Sequence, residues 1–210
     1  TGFDPDYYAR RNPDVDTSSF GLLRHYILFG QAEDRPCVTP AKRMSMPVLA
    51  DTDQARVLLL VEPDLTAVEM SFTLNVIKQL QASKDVIVLI QPGDAQAEVF
   101  TSRNVAVVEF SDENDMEAID RNEVLARIVA ELHPEFAISL SLKSRINVRG
   151  LAAAGLGIVQ LVDEFSSAVR PFGSAYEFLP WAHRLVFPSH TVAASFEAEH
   201  TYLFRRQKDI

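Results

Sequence analysis

The chain has 210 residues, of which 47% are hydrophobic and 23% charged, a composition typical of globular proteins and unlike that of disordered ones. It carries 20 basic and 29 acidic residues, and the formal net charge of -9 disfavours nucleic acid as a partner, because phosphate binding requires a basic surface. One cysteine, Cys37, excludes an internal disulfide and a thiolate metal site. No apolar run approaches the ~20 residues that span a bilayer.

Residues 1–37 are predicted to form a small helical appendage. Asp4 and Pro5 are typical of the cap and first position of a helix, which Asn12-Pro13 should end. Ser19 is predicted to cap a second helix, and Gly30 to end it in the left-handed conformation. Residues 38–54 contain two prolines and no periodicity, which indicates a linker. The chain lacks a starting Met and a signal-peptide pattern, so we expect a piece of a longer protein.

Residues 55–210 alternate short apolar runs with amphipathic segments. The six runs of strand length are Val57–Val61, Val86–Ile90, Val105–Phe110, Phe136–Leu140, Ile158–Val162 and Arg184–Phe187. Helical spacing lies between these runs and after the last one, in residues 71–82, 94–103, 122–132, 147–154 and 191–200. This order predicts an α/β fold with a Rossmann-like, doubly wound parallel sheet. Ligands of such sheets bind beyond the carboxyl ends of the strands, which nominates the loops after each strand.

Several segments of this region resemble family-4 glycosyltransferases of the GT-B fold. They are Val57–Val61, Phe72–Leu80, Val86–Ile90, Leu132–Ile138, Gly155–Phe165 and Leu185–Ser189. The N-terminal motif Phe3–Tyr8, Asn12–Val15, His25-Tyr26, Gly30 and Glu33–Pro36 resembles a small repeat found beside bacterial glycosyltransferases that build surface polysaccharides. At Asp34 that repeat prefers Gly.

The resemblance implies one half of a GT-B fold, the N-terminal half that receives the acceptor. The partners it implies are a C-terminal donor-binding domain and a glycan or lipid-linked acceptor, and the full enzyme would use a nucleotide sugar as donor. It implies no cofactor within this chain and no metal, because protein groups can stabilise the leaving diphosphate. It also implies a cytoplasmic location, with peripheral association at the inner face of the cell membrane left open.

Two loops carry the first candidate residues for acceptor binding. Glu62 and Glu69 follow the first strand, where the family usually has glycines, so a solvated loop is the alternative. Asp163 stands where the family commonly has the His that contacts the reacting sugar, and it is the catalytic candidate. Glu164 matches the family's Glu and would accept hydrogen bonds from sugar hydroxyls, or else cap nearby backbone groups.

Basic residues supply the remaining candidates. Lys143, Ser144 and Arg145 follow the fourth strand, and the two cations would meet acceptor phosphate or carboxylate groups, unless they are a plain exposed charge pair. Arg170 would act similarly, or Arg170-Pro171 would only form a turn. The histidines have no metal-ligand spacing.

Two functions remain open. The first is the acceptor-side half of a retaining glycosyltransferase in bacterial surface polysaccharide or glycan synthesis, inactive without its donor half. The second is a non-catalytic module that binds a glycan or a protein within a larger synthase, which the missing glycines and Asp163 favour.

Overall fold

The computed structural model describes residues 2–15, 19–49, 52–91, 96–110, 117–171, 173–201 and 204. The chain divides into two compact units, Thr1–Met44 and Ser45–Ile210. The predicted linker is therefore split between them, since the first unit includes a short helix at Pro40–Arg43.

The first unit is helical, as predicted. Helix α1, Pro5–Arg11, begins where the side chain of Asp4 accepts a hydrogen bond of 3.0 Å from the backbone N–H of Tyr7. Helix α2, Ser19–His25, continues directly into a π-helical turn, Tyr26–Gly30, and α3 is Pro40–Arg43. The side chain of Ser19, predicted to be a cap, lies outside the described part.

The prediction that Gly30 adopts the left-handed conformation is wrong. Gly30 ends the π-helical turn, and the chain continues through Gln31 at φ -66°. A Cβ on Gly30 would lie 2.3 Å from the hydroxyl oxygen of Tyr8, whose side chain is fully buried. Glycine is therefore explained here by the close approach of an aromatic side chain.

The left-handed residue of this segment is Asp34, with φ 52°. It precedes Arg35, whose guanidinium donates to Asn12 (2.9 Å), Asp14 (3.1 Å) and Glu33 (2.6 Å). This network ties the end of the second helical segment to the end of α1. Asp34 is also the position where the resembling repeat prefers Gly, and the backbone gives the physical reason for that preference.

Replacing Asp34 by Gly should stabilise the first unit by about 0.5–1 kcal/mol, because glycine adopts a positive φ without a Cβ clash. The measurement is hydrogen exchange of the α1 amides in the intact chain. Ala32→Gly is the matched control, since Ala32 has no positive φ and should become less stable by a similar amount. Faster exchange in Asp34→Gly would contradict the explanation.

The second unit contains a six-stranded, all-parallel sheet, as predicted. Its strands are β1 (Arg56–Leu60), β2 (Asp85–Ile90), β3 (Ala106–Glu109), β4 (Phe136–Ser139), β5 (Gly157–Leu161) and β6 (Arg184–Val186). Their order is β3-β2-β1-β4-β5-β6. This is the order of doubly wound Rossmann-like sheets, and the α/β prediction is confirmed.

Helices follow the strands along the chain. They are α4 (Ala67–Leu80), α5 (Ala97–Thr101), α6 (Ala118–Leu132), α7 (Arg145–Ala153) and α8 (His190–Glu199). Ile77 of α4 and Phe100 of α5 pack in one core with Leu59 and Val88 of the strands. Leu58, which alternates with Leu59, is also fully buried, so both faces of the sheet are covered.

Most predicted elements differ from the observed ones only at their ends. The helical spacing of Phe72, Val76, Ile77 and Leu80 predicts one apolar face of α4. Phe72 is nevertheless 47% exposed, so this packing prediction fails. The sequence also predicts that Asp94 caps the helix of residues 94–103, and Asp94 lies outside the described residues.

Candidate functional site

The candidate site lies where the sheet order reverses. β1 pairs with β2 on one side and with β4 on the other, so the connections that leave β1 and β4 diverge at the carboxyl edge of the sheet. Glu62 lies two residues beyond β1, and a 3-10 turn, Leu142–Ser144, lies just beyond β4. The fold thus brings residues from two predicted loops to one point.

A buried carboxylate is the main chemical feature of this point. Glu62 is only 8% exposed, and the hydroxyl of Ser144 donates to its Oε1 over 2.7 Å. Burial raises the pKa of Glu62 above its usual value, because a charged carboxylate loses hydration there. The hydrogen bond from Ser144 and the positive charge of Lys143 lower the pKa in part.

Buried polar groups hold the turn that carries Ser144. The hydroxyl of Ser139 donates to the carbonyl of Ser141 over 3.0 Å, and the side-chain amide of Gln160 donates to the same carbonyl over 3.1 Å. The backbone N–H of Lys143 donates to the Ser141 hydroxyl over 3.1 Å. The position of Ser144 is therefore fixed by contacts to β4 and β5.

A small cavity of about 50 Å³ opens onto this carboxylate. Its polar lining includes Glu62, Lys143, Ser144 and Asn147. The side-chain oxygen of Asn147 is buried and has no hydrogen-bond partner among the described residues. A water molecule or a hydroxyl group therefore fits beside the carboxylate.

Arg145 and Arg170, both predicted to bind the acceptor, follow β4 and β5. Arg145 donates to Glu177 over 2.8 Å, to the carbonyl of Leu142 over 2.9 Å and to the carbonyl of Arg170 over 3.0 Å. The guanidinium of Arg170 donates to the carbonyl of Val169 over 3.0 Å. Arg145 thus ties the turn after β4 to the chain after β5, and ligand binding by either arginine stays a prediction.

Glu69 has a structural role at the start of α4. Its carboxylate accepts from the backbone N–H of Thr66 over 2.8 Å and from the Thr66 hydroxyl over 2.7 Å, while the backbone N–H of Glu69 donates back over 3.3 Å. These bonds form a capping box, and they lower the pKa of Glu69. A part in acceptor binding stays a prediction.

Asp163 and Glu164 are both exposed in the turn that follows β5. Neither lines the cavity at Glu62. The structure brings together Glu62, Lys143 and Ser144 of the predicted residues. The catalytic role predicted for Asp163 and the binding role predicted for Glu164 stay predictions.

Sequence reasoning missed Asn147 and Gln160. Gln160 lies inside β5, where an apolar residue is the rule, and its interruption of the run Ile158–Val162 is the signal that could have identified it. Asn147 lies within a helix and gives no such signal, because a polar residue on a helix is ordinary.

Two classes of site have no candidate in the described part of the chain. No cluster of three or more His, Cys, Asp or Glu side chains there has the geometry to hold a metal ion. Among the helices described, none combines the length and apolar character needed to cross a membrane.

No protein-family model and no curated protein matches the sequence. Among solved structures, a protein assigned as a UDP-N-acetylglucosamine 2-epimerase from Listeria monocytogenes is 8% identical, with a TM-score of 0.52, over 70% of this chain and 43% of that chain. MurG of Acinetobacter baumannii is 12% identical, with a TM-score of 0.49, over 63% and 41%. A family 9 glycosyl transferase from Veillonella parvula is 9% identical, with a TM-score of 0.38, over 73% and 40%.

At these identities a likeness shows the fold alone. The Rossmann-like class is confirmed, and a GT-B-like fold is supported. The chain spans about two fifths of each of these solved structures. The family-4 assignment and the N-terminal repeat stay predictions.

The raised pKa of Glu62 predicts a pH-dependent effect of Glu62→Gln on stability. The native carboxyl keeps its proton to higher pH than the unfolded one, so its contribution is complete below the ordinary pKa of about 4.3 and is lost as pH rises through the native pKa. The variant's neutral amide has no such loss. Its free energy of unfolding relative to wild type should therefore increase from acid to neutral pH.

Urea unfolding at a series of pH values measures this difference. Glu109→Gln is the control for the substitution itself, because Glu109 is an exposed carboxylate at the same edge of the sheet, where a change usually alters stability by less than about 0.5 kcal/mol. A pH-independent difference between Glu62→Gln and wild type would show that Glu62 is hydrated in solution.

Proposed function

We propose that this chain is the acceptor-side half of a glycosyltransferase that builds a bacterial surface polysaccharide or glycan. The observation that carries the proposal is the buried Glu62 carboxylate, bonded to Ser144, at a small cavity where the sheet order reverses. The Rossmann-like sheet supports it at the level of fold, and the resemblance to family-4 enzymes supplies the reaction class.

The chemistry assigned to the cavity is recognition and deprotonation of an acceptor hydroxyl. With the retaining stereochemistry that the resemblance implies, the hydroxyl oxygen bonds to the anomeric carbon on the face that the nucleoside diphosphate leaves, the bond from that carbon to the diphosphate breaks, and the hydroxyl proton must leave. In the proposal, Glu62 accepts that hydroxyl's hydrogen bond and takes its proton, which then passes to solvent. A raised pKa makes Glu62 a stronger proton acceptor, since an effective base has a pKa near the working pH.

Neighbouring groups would complete the acceptor site. Ser144 orients the carboxylate of Glu62, and the oxygen of Asn147 is available to accept a second acceptor hydroxyl. Lys143 lies at the exposed side of the cavity and would offset negative charge on Glu62 or on the leaving diphosphate.

Other parts of the proposal rest on the resemblance. They are the retaining stereochemistry, the nucleotide-sugar donor, the C-terminal donor-binding domain, the lipid-linked or glycan acceptor and the cytoplasmic location at the membrane's inner face. The short coverage of the solved structures agrees with a chain that works together with a further domain.

The test is sugar transfer by the longer protein that contains this chain, assayed with a panel of nucleotide sugars and a glycan acceptor. Glu62→Gln should lower kcat by about 100-fold, because it keeps the shape of the site and removes the proton acceptor. Glu109→Gln should keep the wild-type rate. Equal rates for Glu62→Gln and wild type would remove Glu62 from the reaction and contradict the proposal.

A second candidate, a non-catalytic module that binds a glycan or a protein, has an observation in its favour. The position where the family has its sugar-contacting His is Asp163, which is exposed and lies outside the Glu62 cavity. The loop after β1 also uses Glu69 to cap α4. Transfer with none of the nucleotide sugars, together with retained glycan binding, would favour this module.

The chain alone should not bind nucleotide sugars with micromolar affinity, because in the proposed division the donor belongs to the other half. Isothermal calorimetry with the UDP and GDP forms of common sugars measures this. Micromolar binding would show that the acceptor and donor sides have been assigned the wrong way round.

A further inference from the structure

A second and larger pocket lies beside the Glu62 cavity. It has a volume of about 360 Å³, within the roughly 300–1,000 Å³ typical of small-molecule sites. The first turns of α6 and α7 and the chain after β5 form its walls. The lining residues used below are Arg121, Ile146, Arg149, Tyr176, Glu177 and Trp181. Ile146 also lines the Glu62 cavity, so the two pockets share one wall.

In this pocket the guanidinium of Arg149 lies against the indole ring of Trp181. The Cζ atom of Arg149 lies 5.5 Å from the centre of the Trp181 ring, a cation–π contact that restricts the arginine without neutralising it. Within the residues that the structure describes, no carboxylate forms an ion pair with Arg149. Glu177, the acidic lining residue used here, already pairs with Arg145 over 2.8 Å.

The aromatic surface beside this cation is exposed and held in place. Tyr176 is 58% exposed and Trp181 is 37% exposed. The Tyr176 ring makes an edge contact with the ring of His200, with centroids 5.8 Å apart and planes at 85°. His200 is itself bonded to Ser166 over 3.2 Å. Exposed rings fixed by neighbours lose little entropy on binding.

The cation that the pocket offers to a ligand is Arg149, in a chain whose net charge is -9. Arg121 also lines the pocket. Guanidinium groups pair with carboxylates and phosphates through parallel hydrogen bonds. Aromatic rings offer an apolar surface to the C–H face of a sugar ring and keep a polar end in water. The guanidinium and the aromatic rings together favour a ligand that has both an anionic group and a sugar ring.

We propose that this pocket binds an anionic sugar residue. Its ring would lie against the exposed parts of Tyr176 and Trp181, and its carboxylate or phosphate would pair with Arg149, with Arg121 beside it. The site goes beyond the proposed transfer reaction, because it stands on the lining of this pocket and needs no reaction at Glu62. If the transfer proposal also holds, the shared wall at Ile146 makes the pocket a subsite for the residue next to the reacting one.

Trp181 is the only tryptophan of the chain, so tryptophan emission, excited at a wavelength that the five tyrosines do not absorb, reports on this pocket. The probes are trigalacturonate for a carboxylate, glucose 6-phosphate for a phosphate and maltotriose as the neutral comparison, each titrated into the 210-residue chain. At least one anionic probe should change the emission of Trp181 in a saturable way, with about tenfold higher affinity than maltotriose. Which anionic probe binds identifies the charged group.

Substitutions separate this site from a general effect of charge. Arg149→Gln should weaken binding of the anionic probe about tenfold, and Tyr176→Ala should weaken all sugar binding, measured by calorimetry as well as by fluorescence. Arg184→Gln is the matched control, because Arg184 is an exposed arginine at the start of β6, and it should bind as wild type does. All of these positions are exposed, so the variants should fold.

Three results would overturn the proposal: no saturable change with either anionic probe, equal affinity for maltotriose, or full affinity in Arg149→Gln. Glu62→Gln distinguishes the two proposals. It should leave the Trp181 titration unchanged, so failure of sugar transfer says nothing against this pocket, and failure of this pocket says nothing against the transfer.

Discussion

The parallel pairing of β1 with β2 and β4 is the constraint on which the rest of the second unit depends. Residues Val57–Leu60 are almost fully buried, so their backbone groups must bond to neighbouring strands and their side chains must be apolar. Parallel pairing on both sides puts every strand's carboxyl end at one edge. The chain leaving β1 and the chain leaving β4 then separate at that edge, and the polar groups that follow them meet in the gap.

Burial of the Glu62 carboxylate in this gap lowers the stability of the fold, which is not expected of a residue with only a structural role. A buried carboxylate loses hydration, and the hydroxyl groups of Ser144 and Ser141 together with the charges of Lys143 and Arg145 offset only part of this loss, so the pKa of Glu62 is raised. Such costs are common where a protein needs a reactive or recognising group, and the same logic applies to the unpartnered oxygen of Asn147.

The order and type of the main elements followed from the sequence because buried parallel strands and amphipathic helices have distinct periods. Val86–Ile90 and the spacing of Val124, Leu125 and Ile128 are readable in that way. The prediction for Gly30 is wrong because a glycine at a helix end has two explanations, a positive φ or a close neighbour. Only three-dimensional packing shows that the neighbour is Tyr8. Asp34, read as a departure from a pattern, turned out to carry the positive φ.

The candidate site was only partly readable for a related reason. The loops after parallel strands converge at one edge of the sheet, so the sequence predicts Glu62, Lys143 and Ser144 as site residues. Which loop residues are buried together depends on side-chain direction and on contacts over long sequence distances. The Glu62–Ser144 bond joins residues 82 positions apart, and the Trp181 pocket combines three separate segments.

The first turns of α7 connect the two pockets. Ser144 precedes the helix, Ile146 and Asn147 belong to its first turn, and Arg149 follows. The same helix therefore supplies a wall to each cavity. Any substitution that tilts α7 changes the shape of both cavities. Natural variation in what the larger cavity accepts is therefore expected at the exposed side chains of Tyr176 and Trp181, with Glu177 retained because its pair with Arg145 helps to hold the turn that carries Ser144.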